Sequence, residues 1–145
     1  HVYDKYIALC DAFVSPMPGV QELLHVLRAA NWRLAMATSA DHVKAMANLR
    51  ILGMEDHGFD AVVTGDDVIL KKPHPDIYLE AARRCGVEPG DAWVIEDAKS
   101  GVRAGKAAGM RVIGLTSTLP ASQLLAAGAD AVVDRLDQAA GLLGL

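Results

Sequence analysis

The chain has 145 residues, 52% of them hydrophobic and 22% charged, with a formal net charge of -4. That is the size of one domain able to bury a real core, and the composition weighs against disorder. Acids are scattered and Lys/Arg never cluster, which weighs against a nucleic-acid or anionic-membrane surface and favours a small-molecule partner. No apolar run approaches a membrane span. Cys10 and Cys85 are too few for a disulfide framework or zinc site, so a cytoplasmic setting is expected. The first residue is His1 and no signal-peptide pattern follows it, so the front of a longer protein is expected to be absent.

In chain order, Tyr3, Tyr6, Ile7, Cys10 and Phe13 recur at helical spacing and predict a helix over Val2 to Val14, ended by Ser15-Pro16-Met17-Pro18-Gly19. Val20, Leu23, Leu24 and Leu27 predict a core-facing helix that closes near Asn31. Arg33 to Ala37 is a short buried strand that stops at Thr38-Ser39-Ala40-Asp41. A helix follows to Leu52 with Val43, Met46 and Leu49 inward, closed by Gly53. Ala61 to Thr64 is a strand, and Gly65-Asp66-Asp67 a turn before the stiff Lys71-Lys72-Pro73-His74-Pro75-Asp76. Ile77 to Cys85 reads as a helix, Trp93 to Ile95 as a strand ending in Glu96-Asp97, and Ser100 to Ala108 as a helix. Arg111 to Leu115, Pro120 to Ala127 and Ala131 to Val133 continue as strand, helix and strand before a Leu136 to Leu143 tail. Alternation of helices with apolar strands implies a doubly wound, Rossmann-like α/β fold: a parallel sheet between two helical layers.

In such sheets ligands bind at the carboxyl ends of the strands. Three of those ends carry chemistry: Thr38-Ser39, Lys72-Pro73 and Glu96-Asp97. A hydroxyl with backbone amides at a helix start, a fixed cation and a carboxylate for a hard divalent metal are the parts needed to hold a phosphoryl group. Thr38 and the Ser39 and Ala40 amides would bond phosphate oxygens, Lys72 would neutralise them, and Asp97 would ligate Mg²⁺, with Glu96 sharing or orienting the metal. The plainer alternative makes Asp97 a helix cap, Glu96 a solvated neighbour, Thr38-Ser39 an N-cap and Lys72 a surface charge. Gly101 to Ala107 is not a P-loop: it has one residue too few between its glycines and no Ser or Thr after Lys106. The histidines are scattered and read mostly as surface or packing residues, with His74, between two prolines, the one expected near the proposed site.

Pro18-Gly19-Val20 with Glu22-Leu23-Leu24, Ala37-Thr38-Ser39, Lys72-Pro73 with Pro75-Asp76-Ile77-Tyr78, and Glu96-Asp97 with Gly101 and Ala108-Gly109 resemble the haloacid dehalogenase superfamily. Within it they are most similar to the sugar-phosphatase and β-phosphoglucomutase-like branch. The resemblance implies that Thr38 is the motif II phosphate binder, Lys72 the motif III lysine, and Asp97 with Glu96 the motif IV Mg²⁺ carboxylates. Lys71 stands where the family frequently has Gly, and Ala98 where it frequently has Ser. The family's opening strand, ending in DxDG[TV] with the attacking Asp, is not found before Thr38; Asp4 and Asp11 lie in a helical pattern. The resemblance therefore implies that residues 1–15 are the C-terminal end of a helical cap and residues 16–145 an incomplete core, whose central nucleophile strand is missing between the strands that end at Thr38 and Glu96.

The expected activity is Mg²⁺-dependent hydrolysis of a small phosphorylated metabolite, a sugar phosphate, through an aspartyl-phosphate, with the 145 residues inactive for want of the nucleophile. The alternatives are a phosphohexomutase or a non-catalytic phosphate- and metal-binding remnant. A receiver-type signalling module fits less well, because its acid pair precedes the hydroxyl and lysine whereas here the acids come last.

Overall fold

Apolar strands need cover on both faces, and the chain supplies it by alternating helices to either side of one sheet. The computed structural model describes residues 6–9, 18–51 and 58–145. Among these, β1 (Tyr6–Leu9), β2 (Arg33–Ala37), β3 (Ala61–Val63), β4 (Ala92–Glu96), β5 (Arg111–Leu115) and β6 (Ala131–Val133) form a parallel sheet in the order β3-β2-β1-β4-β5-β6. The helices are α1 (Val20–Ala29), α2 (His42–Ile51), α3 (Asp76–Cys85), α4 (Lys99–Ala107), α5 (Ala121–Ala127) and the short α6 (Ala139–Leu142). The doubly wound three-layer architecture is as the sequence predicts.

Side chains alternate along each strand, so the sheet divides the interior into two cores. Leu34, Met36, Ile95, Ile113 and Leu115 pack under α1, α2 and α6. Ala35, Ala37, Ala92, Val94 and Val112 pack under α3, α4 and α5. Leu23, Leu24 and Leu27 of α1 are fully buried, each contributing roughly 1.5–3 kcal/mol of transfer free energy. Asn31, at φ 66, closes α1 in the left-handed conformation expected of a helix-ending Asn.

Two expectations are corrected. Val43 is 78% exposed; the buried face of α2 runs through Ala45 and Leu49. Asp41 Oδ1 accepts from the Lys44 amide at 2.8 Å at the start of the helix; Ala45 and Leu49, four residues apart, share the inward face, and Val43 lies on another. At the front, Tyr6–Leu9 is a strand rather than part of a helix, paired in parallel with β2 from Tyr6↔Arg33 to Leu9↔Met36 and with β4 from Tyr6↔Ala92 to Leu9↔Ile95. Four apolar residues satisfy either period, and the unpaired backbone of β2 and β4 decides for the strand. The slot expected to stand open is therefore filled, by a sequence without the DxDG motif. The rest of that predicted helix, Asp4, Asp11, the boundary at residues 15 and 16, and Gly53 lie outside the described residues.

Both edge strands are fastened alike. Asp60 and Asp130 each precede an Ala-Val-Val strand. The Asp60 amide donates to Leu34 O at 2.7 Å while its Oδ2 accepts from the Leu34 amide at 2.8 Å. The Asp130 amide donates to Val112 O at 2.8 Å and its Oδ2 accepts from the Val112 amide at 2.7 Å. Each aspartate thus extends the ladder by one rung at the start of the neighbouring strand.

Candidate phosphate-binding site

Register brings the proposed residues to one edge. Leu9 pairs with both Met36 and Ile95, so Ala37 is level with Glu96 and Thr38 with Asp97. They are separated by two strand spacings, roughly 10 Å.

Thr38 is fully buried where β2 ends. Its amide donates to Val63 O at 2.9 Å, and its Oγ1 accepts from the Ala40 amide at 3.1 Å. A hydroxyl that accepts within its own turn still has its proton to give to an anion. The Ala40 amide is engaged in that turn, so Ala40 builds the turn rather than offering its N–H outward. Gly65 closes over it: its amide donates to Ala40 O at 2.8 Å, and a Cβ at Gly65 would run into the Ser39 carbonyl. The absence of a side chain is what lets the β3 loop approach the turn.

Lys72 is held under this edge. Its side chain is 7% exposed, and its Nζ lies 3.1 Å from Glu96 Oε2 and 5.1 Å from the centre of the Tyr78 ring. The Tyr78 hydroxyl donates to the same Oε2 at 2.6 Å. Glu96 Oε1 accepts from the Asp97 and Ala98 amides at 3.1 and 3.2 Å. At 2% exposed, Glu96 is a buried carboxylate with both oxygens hydrogen-bonded, which is how a charge survives burial, and it is no solvated neighbour.

Asp97, partly exposed, accepts at Oδ2 from Thr118 Oγ1 at 3.1 Å and Ser117 Oγ at 3.4 Å. The cap of α4 is Ala98, with no side-chain cap bond, so the capping alternative for Asp97 does not hold. Ser117 and Thr118 escaped the sequence reading; their signal was Thr116-Ser117-Thr118 directly after β5, at the same edge. In the sequence Tyr78 stands out only as the last residue of Pro75-Asp76-Ile77-Tyr78. His74 is exposed, its amide donating to Lys71 O at 2.9 Å.

The hydroxyl, buried ammonium and carboxylates that meet at this edge suit oxyanion binding. Cys85 is buried and its thiol is pushed up to about 11 by burial and then by Asp60, so it stays protonated. Among the described residues no group of three His, Cys, Asp or Glu could hold a metal. Glu96 is tied to Lys72 and Tyr78, leaving Asp97 as one carboxylate toward Mg²⁺, which takes one or two carboxylates together with substrate phosphate.

The family model for haloacid dehalogenase-like hydrolases matches residues 1–109. A phosphorylated carbohydrates phosphatase of Thermotoga maritima is 43% identical over 118 residues, covering 80% of this chain and 54% of that protein. The crystal structure of CbbY from Rhodobacter sphaeroides in complex with phosphate superposes with a TM-score of 0.77 at 36% identity, over 89% of this chain and 58% of that one. A β-phosphoglucomutase from Clostridium difficile gives 0.74 at 30% identity, over 84% and 51%. The chain spans little more than half the length of these relatives. Among the described residues no helix is long and apolar enough to cross a membrane.

Proposed function

Since the chain belongs to the haloacid dehalogenase-like hydrolases, we propose that its carboxyl-edge cluster binds the phosphoryl group of a small phosphorylated metabolite, a sugar phosphate, in a cytoplasmic phosphomonoester hydrolase. The observation that carries this reading is the buried Lys72–Glu96 pair at the same sheet edge as the Thr38 turn. A lysine fixed there by a carboxylate and a tyrosine stands ready to meet a doubly charged anion without first losing its own side-chain freedom.

Thr38 donates its hydroxyl proton to a phosphate oxygen, with the Ser39 backbone beside it. Lys72 balances the charge, and Glu96 orients Lys72. Asp97, held by Ser117 and Thr118, would hold Mg²⁺, which would supply charge neutralisation to the phosphoryl oxygens. Hydrolysis through an aspartyl-phosphate needs a carboxylate to attack phosphorus as the ester P–O bond breaks, then water to release phosphate. No DxDG sequence occurs in the 145 residues, so these residues bind without turnover.

The test compares Mg²⁺-dependent phosphatase activity of the 145-residue chain, of the chain joined to a front segment bearing DxDG[TV], and of that fusion with Asp97→Ala. The expected order is none, active, none. Turnover by the chain alone overturns the missing-nucleophile reading, and an unimpaired Asp97→Ala fusion overturns the metal role. The likeness to a β-phosphoglucomutase favours one further reading, return of the phosphoryl group to another hydroxyl of the same sugar. A sugar bisphosphate trapped on the fusion would select it.

A further inference from the structure

Lys71 does not take part in the phosphate-binding set, yet its ammonium is engaged twice: Nζ donates to the carbonyl of Gly65 and, at 3.0 Å, to that of Val68. Both carbonyls lie on the β3 side of the loop that leaves β3, ahead of a tip that carries Ile69 at 93% and Leu70 at 48% exposed. The tip has little apolar burial to hold its shape. The near end of the loop is fastened to the Thr38 turn, because the Gly65 amide donates to Ala40 O at 2.8 Å and Asp66 Oδ2 accepts from the His42 amide at 2.9 Å. The far end runs into Lys72, whose Nζ meets Glu96. Lys71 therefore sits where the two halves of the oxyanion site join: its side chain grips the half anchored at Ser39 to His42, and its main chain continues into the half anchored at Glu96.

We infer that Lys71 is a positioning residue that closes the loop between β3 and α3 through the Gly65 and Val68 carbonyls and so holds Lys72 in place relative to the Thr38 turn. A side chain that merely added positive charge near phosphate would be aimed at the anion rather than bonded to two carbonyls. The bonds need an N–H donor at the end of a long stem, which Arg supplies and Met does not. This inference rests on the phosphate-site reading for its functional meaning, while its structural content can be measured without any ligand.

The experiment uses the 145-residue chain and its Lys71→Met, Lys71→Gln and Lys71→Arg variants. Lys72 lies over the Tyr78 ring, so its ε-methylene protons carry a ring-current shift readable by NMR. That shift is expected to collapse toward the free-lysine value in Lys71→Met, and to be retained in Lys71→Arg. Tungstate, a phosphate mimic, is expected to bind Lys71→Met about tenfold more weakly and Lys71→Arg within about threefold of the parent. An unchanged Lys72 shift in folded Lys71→Met overturns the inference, as does unfolding of both Lys71→Met and Lys71→Gln, which would make Lys71 a general stabiliser. Failure of the parent chain to bind tungstate overturns the phosphate-site reading instead, and the Lys72 shift then judges Lys71 alone.

Discussion

Glu96 fills the space in which Gly101 would carry a side chain. A methyl group at Gly101 would have to share the volume of the Glu96 carboxyl, the group that holds Lys72 and accepts from Tyr78. Gly101 is thus the condition for the pair, and its place in the first turn of α4 has a steric cause.

The Gly101→Ala variant is expected to lose on the order of 3 kcal/mol, because the carboxylate must leave its bonds while still buried. Urea unfolding gives the number; a loss under 1 kcal/mol would mean that Glu96 has another place to go.

Tyr78→Phe removes one donor from the same carboxylate oxygen without opening a cavity. The expected loss is about 1.5–3 kcal/mol, as for other hydrogen bonds to a buried charge. A double-mutant cycle with Lys72→Met should show coupling, since both side chains meet Glu96 Oε2.

Asp130→Ala and Asp60→Ala each strip the rung that fastens an edge strand, leaving the Val112 or Leu34 amide without its carboxylate acceptor. Each is expected to cost about 1–2 kcal/mol, and hydrogen exchange of the Val112 or Leu34 amide should rise accordingly. The two losses should add, because the pairs stand at opposite edges of the sheet.

Acid sensitivity follows from carboxylates held below their ordinary range. The Arg83 guanidinium, against some opposing burial and with help from Arg84, lowers Glu80 from 4.5 to about 2. The Thr64 amide lowers Asp67, with Arg84 adding to it. Such groups bind fewer protons folded than unfolded, so their stabilisation is complete above the unfolded values and lost as pH falls through the folded ones. Thermal midpoints should therefore drop as pH falls from 4.5 toward about 2. Glu80→Gln should flatten the lower part of that drop, less so in high salt because Arg83 is largely exposed.

Much of this was readable in the residues. Alternating apolar strands gave the sheet, and the spacing of Leu23, Leu24 and Leu27 gave the buried face of α1. Thr38, Lys72 and Glu96-Asp97 could be placed at one edge because parallel strands bring their carboxyl ends together. What was hidden were relations between distant residues. Tyr78 sits on a helix where its aromatic ring reads as core, and it is core; that its hydroxyl also reaches Glu96 depends on how α3 crosses β4. The adjacency of Glu96 to Asp97 is visible in sequence, whereas its contacts with Lys72 and Tyr78 are not. Tyr6–Leu9 was misread because the partner strands that make it β lie more than twenty residues away on one side and more than eighty on the other.

That strand has a kinetic corollary. Tyr6–Leu9 already shares both of its ladders, with β2 and with β4. A front segment offering its own strand for the same place must wait for the occupant to leave. Annealing of such a segment should then become first order once it is in excess, its rate set by departure of the incumbent rather than by encounter, and any phosphatase activity it restores should rise after a lag that more segment does not shorten.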